Sequence, residues 1–350
     1  MASAHEQALQ YRAQLRAGND AAISRLARSY AATYKRLLTQ LRALEADILE
    51  YQATGKVFSM DWLRRQERYR ELLVQCEVGM RRYGAVLQSE IGQLVDAAIT
   101  QAERDAVVLV RMRLPLLPDR ALRSMWNKLP SEAIESLLGF TAADSPLTAR
   151  MEKFGEGMAA RMGARLEESL SIGYSPRALA ATFRKELGLD LTSALRHART
   201  TQISAYREAT RLAYAANPQI VPSWTWVSAL SSGTCLACIA KHGTVHPNSE
   251  RLNDHWAGWC VMSPVTVSYR DLGLRVDGPD LPPIPTGQDA LRAMPVSEAR
   301  GFFGKDKELY QAWLDGKITA DKFATEREDP VWGSMIAVNP KGALLPQVQS

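Results

Sequence analysis

The chain has 350 residues, 46% of them hydrophobic and 23% charged, with a formal net charge of +5. That length and composition bury a core and exclude global disorder; no apolar run approaches the ~20 residues that span a bilayer. Four cysteines, three of them within 26 residues, are not the framework of a disulfide-stapled secreted protein.

The N-terminus, Met1 to Gln10, is polar and lacks a signal-peptide core, so the expectation is a protein made and used in the cytoplasm or exported inside something larger. Residues 1–128 hold 20 Lys/Arg against 14 Asp/Glu, and the remaining residues hold 23 against 24. A basic first part can touch nucleic acid or an acidic protein surface, but its charges alternate with acids as they do on solvated helix faces.

Gly18-Asn19-Asp20 reads as a turn with an N-cap, and a long helix is expected after it. Ile23, Tyr30, Leu37, Leu44 and Tyr51 recur every seven residues, with Ala27, Tyr34, Leu41 and Ile48 interleaved. This reads as a heptad seam. Gly55-Lys56 breaks it and Ser59 can cap the next helix, where Tyr69, Cys76 and Tyr83 run beside Leu73, Met80, Leu87 and Leu94. Two such helices joined by a short loop fold back as an antiparallel hairpin, each arm of ~34 residues being roughly 50 Å long. Cys76 lies in this pattern as a small core residue.

Pro115, Pro118, Pro130 and Pro146 then keep helices short. Ser175-Pro176 opens a helix that Gly188 closes, and residues 192–216 form another, ended by Asn217-Pro218. Trp224-Thr225-Trp226-Val227 reads as a strand, with 243–246 and 261–268 as its partners. Residues 277–287 are rich in Pro and Gly, and helical texture resumes over 288–300 and 305–328. The expected fold is mainly α: a long hairpin over 1–114, a helical region over 115–218, a small sheet with a Cys/His knot over 219–268, a Pro/Gly linker over 269–287 and a helical tail over 288–350.

The residues with metal chemistry are crowded into 235–260. Cys235-x2-Cys238 is one ligand pair and His255-x4-Cys260 a second, sixteen residues later, with His242 and His246 as alternates. Zinc takes four such N/S ligands in closed structural sites. His242, beside Gly243, can instead hydrogen-bond backbone. Reduced buried thiols or a Cys235–Cys238 disulfide remain the other readings. No βαβ pattern surrounds the CxxC as in redox motifs, and there is no P-loop, dinucleotide fingerprint, HExxH or GxSxG. No catalytic residue is assigned, and the chain is not expected to be an enzyme. Trp256 and Trp259 read as cover for a small core.

Beside these residues the chain resembles the Mu F-like minor head proteins of tailed bacteriophages, also called head morphogenesis proteins. The resemblance runs over about 175–335. It is carried by the helix start Ser175-Pro176-Arg177-Ala178-Leu179 after Gly173, by Ala198-Arg199-Thr200-Thr201, and by Trp224-Thr225-Trp226 leading into Ser232-Gly233-Thr234-Cys235-Leu236-Ala237-Cys238. His242-Gly243-Thr244-Val245, His255-Trp256-Ala257-Gly258-Trp259-Cys260 and the stretch Val261 to Val265 continue it. In the tail, Phe303-Gly304, Tyr310, Gly316-Lys317-Ile318 and Trp332-Gly333 are similar. Two positions depart from the pattern: Thr201 stands where members carry an acid, and Gly258 where they often have a cysteine. The resemblance implies a virion component in few copies, bound to the portal protein inside the head, with major capsid or scaffolding protein and viral DNA as further partners. Its implied role is head assembly and genome packaging or ejection, with the host cytoplasm as its place during assembly.

Overall fold

A computed structural model of the chain describes residues 3–56, 59–139, 176–279, 281–329 and 333–339, with isolated helical positions between 157 and 168. The expected start Ser175-Pro176 is described only from Pro176, and Pro146 lies outside the described residues. The fold is mainly α, with long N-terminal helices, a helical middle and a small sheet beside the Cys/His cluster. The chain forms two compact units, neither contiguous: Gly18–Leu94 with Leu138–Thr201, and Met1–Ala17 with Val95–Leu137 and Gln202–Ser350. No helix among the described residues is long and apolar enough to cross a membrane.

The first unit is built on a helical hairpin. Helix α1 (Ala4–Ala53) enters it, a turn at Gly55 (φ +77°) leads to the short α2 (Met60–Arg65), and α3 (Glu67–Arg113) returns. Ser59 caps α2, its hydroxyl accepting the Trp62 N–H at 3.2 Å. Antiparallel packing shows in the pairs across the hairpin. Tyr51 stacks on Trp62 near the turn, Tyr30 meets Tyr83 edge to face at 5.0 Å, and Arg25 holds Glu90 through two hydrogen bonds. At Gly79 the helices come so close that a Cβ would lie 2.9 Å from the Thr33 methyl.

The periodicity of this packing differs from a heptad. On α1 the buried positions form three series: Leu15, Leu26, Leu37 and Ile48; Asn19, Tyr30 and Leu41; Ala22, Thr33 and Leu44. On α3 they are Tyr69, Met80, Ile91 and Ala102; Leu72, Tyr83, Leu94 and Asp105; Cys76, Leu87, Ala98 and Leu109. Each series steps by eleven residues, or about 3.67 per turn, which favours straight or right-handed winding over the left-handed winding of heptads. Ile23, Ala27, Tyr34 and Tyr51 of the expected seam are accordingly only half-buried.

Helix starts are also corrected. α1 runs unbroken through Gly18-Asn19-Asp20, because Leu15 and Ala22 on either side are buried and outweigh the ~1 kcal/mol a glycine costs within a helix. Likewise α6 (Pro176–Ala215) is one helix passing through Gly188, not two. Helices α4 (Asp119–Met125) and α5 (Ser131–Gly139) are short, each beginning just after a proline.

In the second unit the end of α6 is tied to the chain after α4. Asn217 accepts the Asn127 N–H at 2.6 Å and donates to the Asn127 carbonyl at 2.9 Å. Beyond it, β1 (Ser223–Val227) lies between β2 (Val245–Pro247) and β3 (Val261–Val265), both antiparallel to it. Trp224 and Trp226 of β1, Met262 of β3, Tyr214 of α6, Val110 of α3 and Leu114 just after it share one core. Helix α7 (Leu236–Lys241) separates this core from another: Ala237 and Cys238 face the first, Leu236, Ile239 and Ala240 the second. That second core takes Leu291 of α8 (Gly287–Ala293), Ala299 of α9 (Val296–Phe302), Leu309 and Trp313 of α10 (Lys307–Leu314), and Phe323 of a 3-10 turn.

The segment before α8 lies along this unit. The Tyr269 hydroxyl oxygen accepts the Leu116 N–H at 2.8 Å, and the Gly287 N–H donates to the His242 carbonyl at 2.9 Å. The helical expectation for 305–328 fails after Phe323. There β4 (Ala324–Asp329) and β5 (Gly333–Val338) form an antiparallel hairpin. Helix periodicity has nothing to bury in the polar β4, whereas pairing with β5 satisfies its backbone.

Candidate metal centre

The local sequence explains how the first pair of ligands is presented. Cys235 is the N-cap of α7, in extended backbone, and its Sγ accepts the Cys238 N–H at 3.5 Å. The Cys-x2-Cys spacing thus places Cys238 in the first turn of the helix with both sulfurs on one side. The second pair comes from the loop before β3. His255 follows the buried Asp254, and Cys260 sits at the start of the strand. Between them Ala257 takes a left-handed backbone (φ +53°). At Gly258 a Cβ would collide with the Asp254 carboxylate, so a side chain there cannot coexist with Asp254 as placed.

The ligand atoms of Cys235, Cys238 and His255 lie within 4.8 Å of one another, and so do those of Cys238, Asp254 and Cys260. The two groups share Cys238. Cys238 and Cys260 are buried, whereas Cys235 and His255 are half-buried and line a cleft of about 300 Å³ with Trp256, Arg327 and the Met335–Val338 part of β5. Trp256 therefore walls the cleft, and all four cysteines of the chain are free thiols.

Hydrogen bonding sets the protons. Cys238 hydrogen-bonds Cys235 and, with help from His255, draws the Cys235 thiol well below its ordinary value despite burial. The same bond to Cys235, then that to Cys260, pushes the Cys238 thiol up. The bond to Cys235 raises His255 to about 9, with the Asp254 charge adding to it. Burial pushes the Asp254 carboxyl up, but Arg207 foremost, then His255 and the Cys260 N–H, hold it below the usual carboxylate range. These shifts favour a thiolate at Cys235 facing a protonated His255.

The alternates are engaged elsewhere. His242 is buried, and its Nδ1 accepts the Ser228 N–H at 3.0 Å. His246 lies on β2, stacked on Trp224 at 4.6 Å, with its ring nitrogens 2.7 Å from Glu250 and from the Thr244 hydroxyl. Asp254 was not among the residues singled out by spacing. A lone acid carries no spacing signature; the collision at Gly258 is the trace it leaves. The group of two thiols and an imidazole within 4.8 Å, sharing Cys238 with the group that holds Cys260 and Asp254, suits a divalent ion that prefers sulfur and nitrogen, since two sulfurs on one zinc sit roughly 3.8 Å apart.

The chain matches no protein-family model, no curated protein and no solved structure with which it was compared.

Proposed function

We propose that the chain is a minor head protein of the Mu F-like class, a structural component bound to the portal inside the head of a tailed phage or prophage. Its role is in head assembly and in genome packaging or ejection. In this reading the Cys/His cluster holds one structural zinc, and the α1–α3 hairpin is the docking element. The observation that carries it is the meeting of Cys235, Cys238 and His255, with Cys260 beside Cys238. These are the residues on which the resemblance is strongest, and they fall in two groups that share Cys238. Cys235, Cys238, His255 and Cys260 would hold the ion, and its chemistry there would be cross-linking: it ties α7 to the loop before β3.

Protein purified without chelators is expected to contain about one zinc per chain, and Cys235→Ser to lose it together with thermal stability. Co-expressed with the portal protein of the same genome, the chain is expected to co-purify with it. Zinc-free wild type whose stability is unchanged by Cys235→Ser sinks the metal assignment; a failure to associate under co-expression counts against the head-protein role.

A further inference from the structure

Four polar contacts converge on one buried carboxylate beside the cluster. Asp254 Oδ1 accepts the His255 N–H at 2.8 Å and the Cys238 thiol at 3.3 Å. Oδ2 accepts the Cys260 N–H at 3.0 Å and an Arg207 Nη2–H at 2.6 Å. The Arg207 side chain is 5% exposed and that of Asp254 0%. Arg207 also donates from Nε to the Cys260 carbonyl at 2.8 Å and from Nη2 to the Gly258 carbonyl at 3.0 Å. One guanidinium from α6 thereby grips both the carboxylate and the loop that brings His255 and Cys260 to the cluster.

A buried ion pair of this kind contributes little net stability, because desolvation offsets its attraction. Its value lies in geometry. Asp254 touches the backbone of two proposed ligands and the sulfur of a third, and its charge discourages the loop from relaxing away from Arg207. Outer-sphere carboxylates that orient first-sphere ligands typically set metal affinity to within one or two orders of magnitude.

We propose that Asp254, held by Arg207, is the positioning residue of the centre: it fixes Cys238, His255 and Cys260 in place before the ion arrives. The proposal rests on the reading of the cluster as a metal centre.

The test is a zinc competition titration against a chromophoric chelator, run with the cobalt(II) absorption spectrum, on full-length wild type, Asp254→Asn and Arg207→Lys. Asparagine keeps the shape of Asp254 but loses the charge and turns one acceptor into a donor. Lysine keeps the Arg207 charge but cannot span the carboxylate and both carbonyls. Both variants are expected to bind one zinc at saturation with affinity lowered about 10- to 100-fold, and to shift the cobalt bands that report ligand geometry. A purely structural role for the pair would lower melting temperature equally with and without metal, leaving affinity and spectrum unchanged. Wild-type affinity and spectrum in either folded variant overturns the proposal. Wild-type protein that binds neither metal overturns the parent reading, and the proposal with it; metal binding that is tight in wild type and unaltered in the variants removes the positioning role alone. Should Asp254→Asn not fold, Arg207→Lys decides.

Discussion

At the scale of single residues, burial decides which histidine serves which purpose. His242 is 4% exposed, and its Nδ1 accepts the Ser228 N–H, so the ring is held neutral. Burial, and to a smaller degree the charge of His5, drops it to about 4. The sign follows from linkage: an unfolded chain protonates this ring below about 6.5 and the folded one does not, so stability is lost as pH falls from about 6.5 towards 4. The loss attributable to this residue is at most about 3 kcal/mol. His242→Gln, which offers a neutral acceptor in the same place, is expected to flatten the fall in melting temperature between pH 6.5 and 4. An unchanged slope in the variant would mean that His242 titrates normally in the folded protein. His255 is shifted the other way: facing Cys235 and flanked by Asp254, it is raised to about 9. The Cys-x2-Cys spacing made its two cysteines legible, and the position of His255 and Cys260 followed. Asp254 and Arg207 are 47 residues apart, and no local pattern joins an acid in a loop to an arginine on a helix.

At the scale of elements, the hairpin tests the difference between a period of seven and one of eleven. Leu26 is fully buried but belongs to no heptad series, whereas Ile23 heads one and is half-buried. Leu26→Ala is therefore expected to cost about 2–5 kcal/mol and Ile23→Ala distinctly less, read from denaturant unfolding of the two variants. If Ile23→Ala is the more damaging, the heptad is the true packing. The hairpin itself was legible because either period gives a continuous apolar stripe. Leu37, Leu41, Leu44 and Ile48 fit both, and the two periods diverge by roughly 33° per seven residues. Strand β1 and its partners were legible for a similar reason, since bulky residues alternate through Trp224 and Trp226. By contrast β4, reading Ala-Thr-Glu-Arg-Glu-Asp, has both faces largely exposed and no apolar alternation to mark it. It exists because β5 offers a ladder from Ala324–Val338 to Asp329–Gly333, a non-local cause that a window of sequence does not contain.

At the scale of the whole molecule, the Cys/His cluster and the hairpin belong to different units. Every residue of the cluster, with Arg207 and Asp254, lies in the unit made of Met1–Ala17, Val95–Leu137 and Gln202–Ser350. The packing of Gly18–Leu94 uses none of them: its stripe of Leu, Tyr and Met lies on α1 and α3. Among the described residues the tryptophans divide in the same way, for Trp62 alone belongs to the hairpin unit, while Trp126, Trp224, Trp226, Trp256, Trp259 and Trp313 belong to the other. If the cluster holds the proposed zinc, removing it with a chelator at neutral pH should loosen α7 from the loop before β3 and change tryptophan emission strongly. Helical circular dichroism, to which the hairpin contributes a large share, should fall little. A metal centre tying only its own unit together predicts that separation of the two signals, restored when zinc is added back. If both collapse in parallel, the ion stabilises the chain as one cooperative body and the hairpin is not an independent packing unit. If neither moves although the ion has left, the cross-link contributes nothing to the fold, and the cluster must be explained by something other than structure.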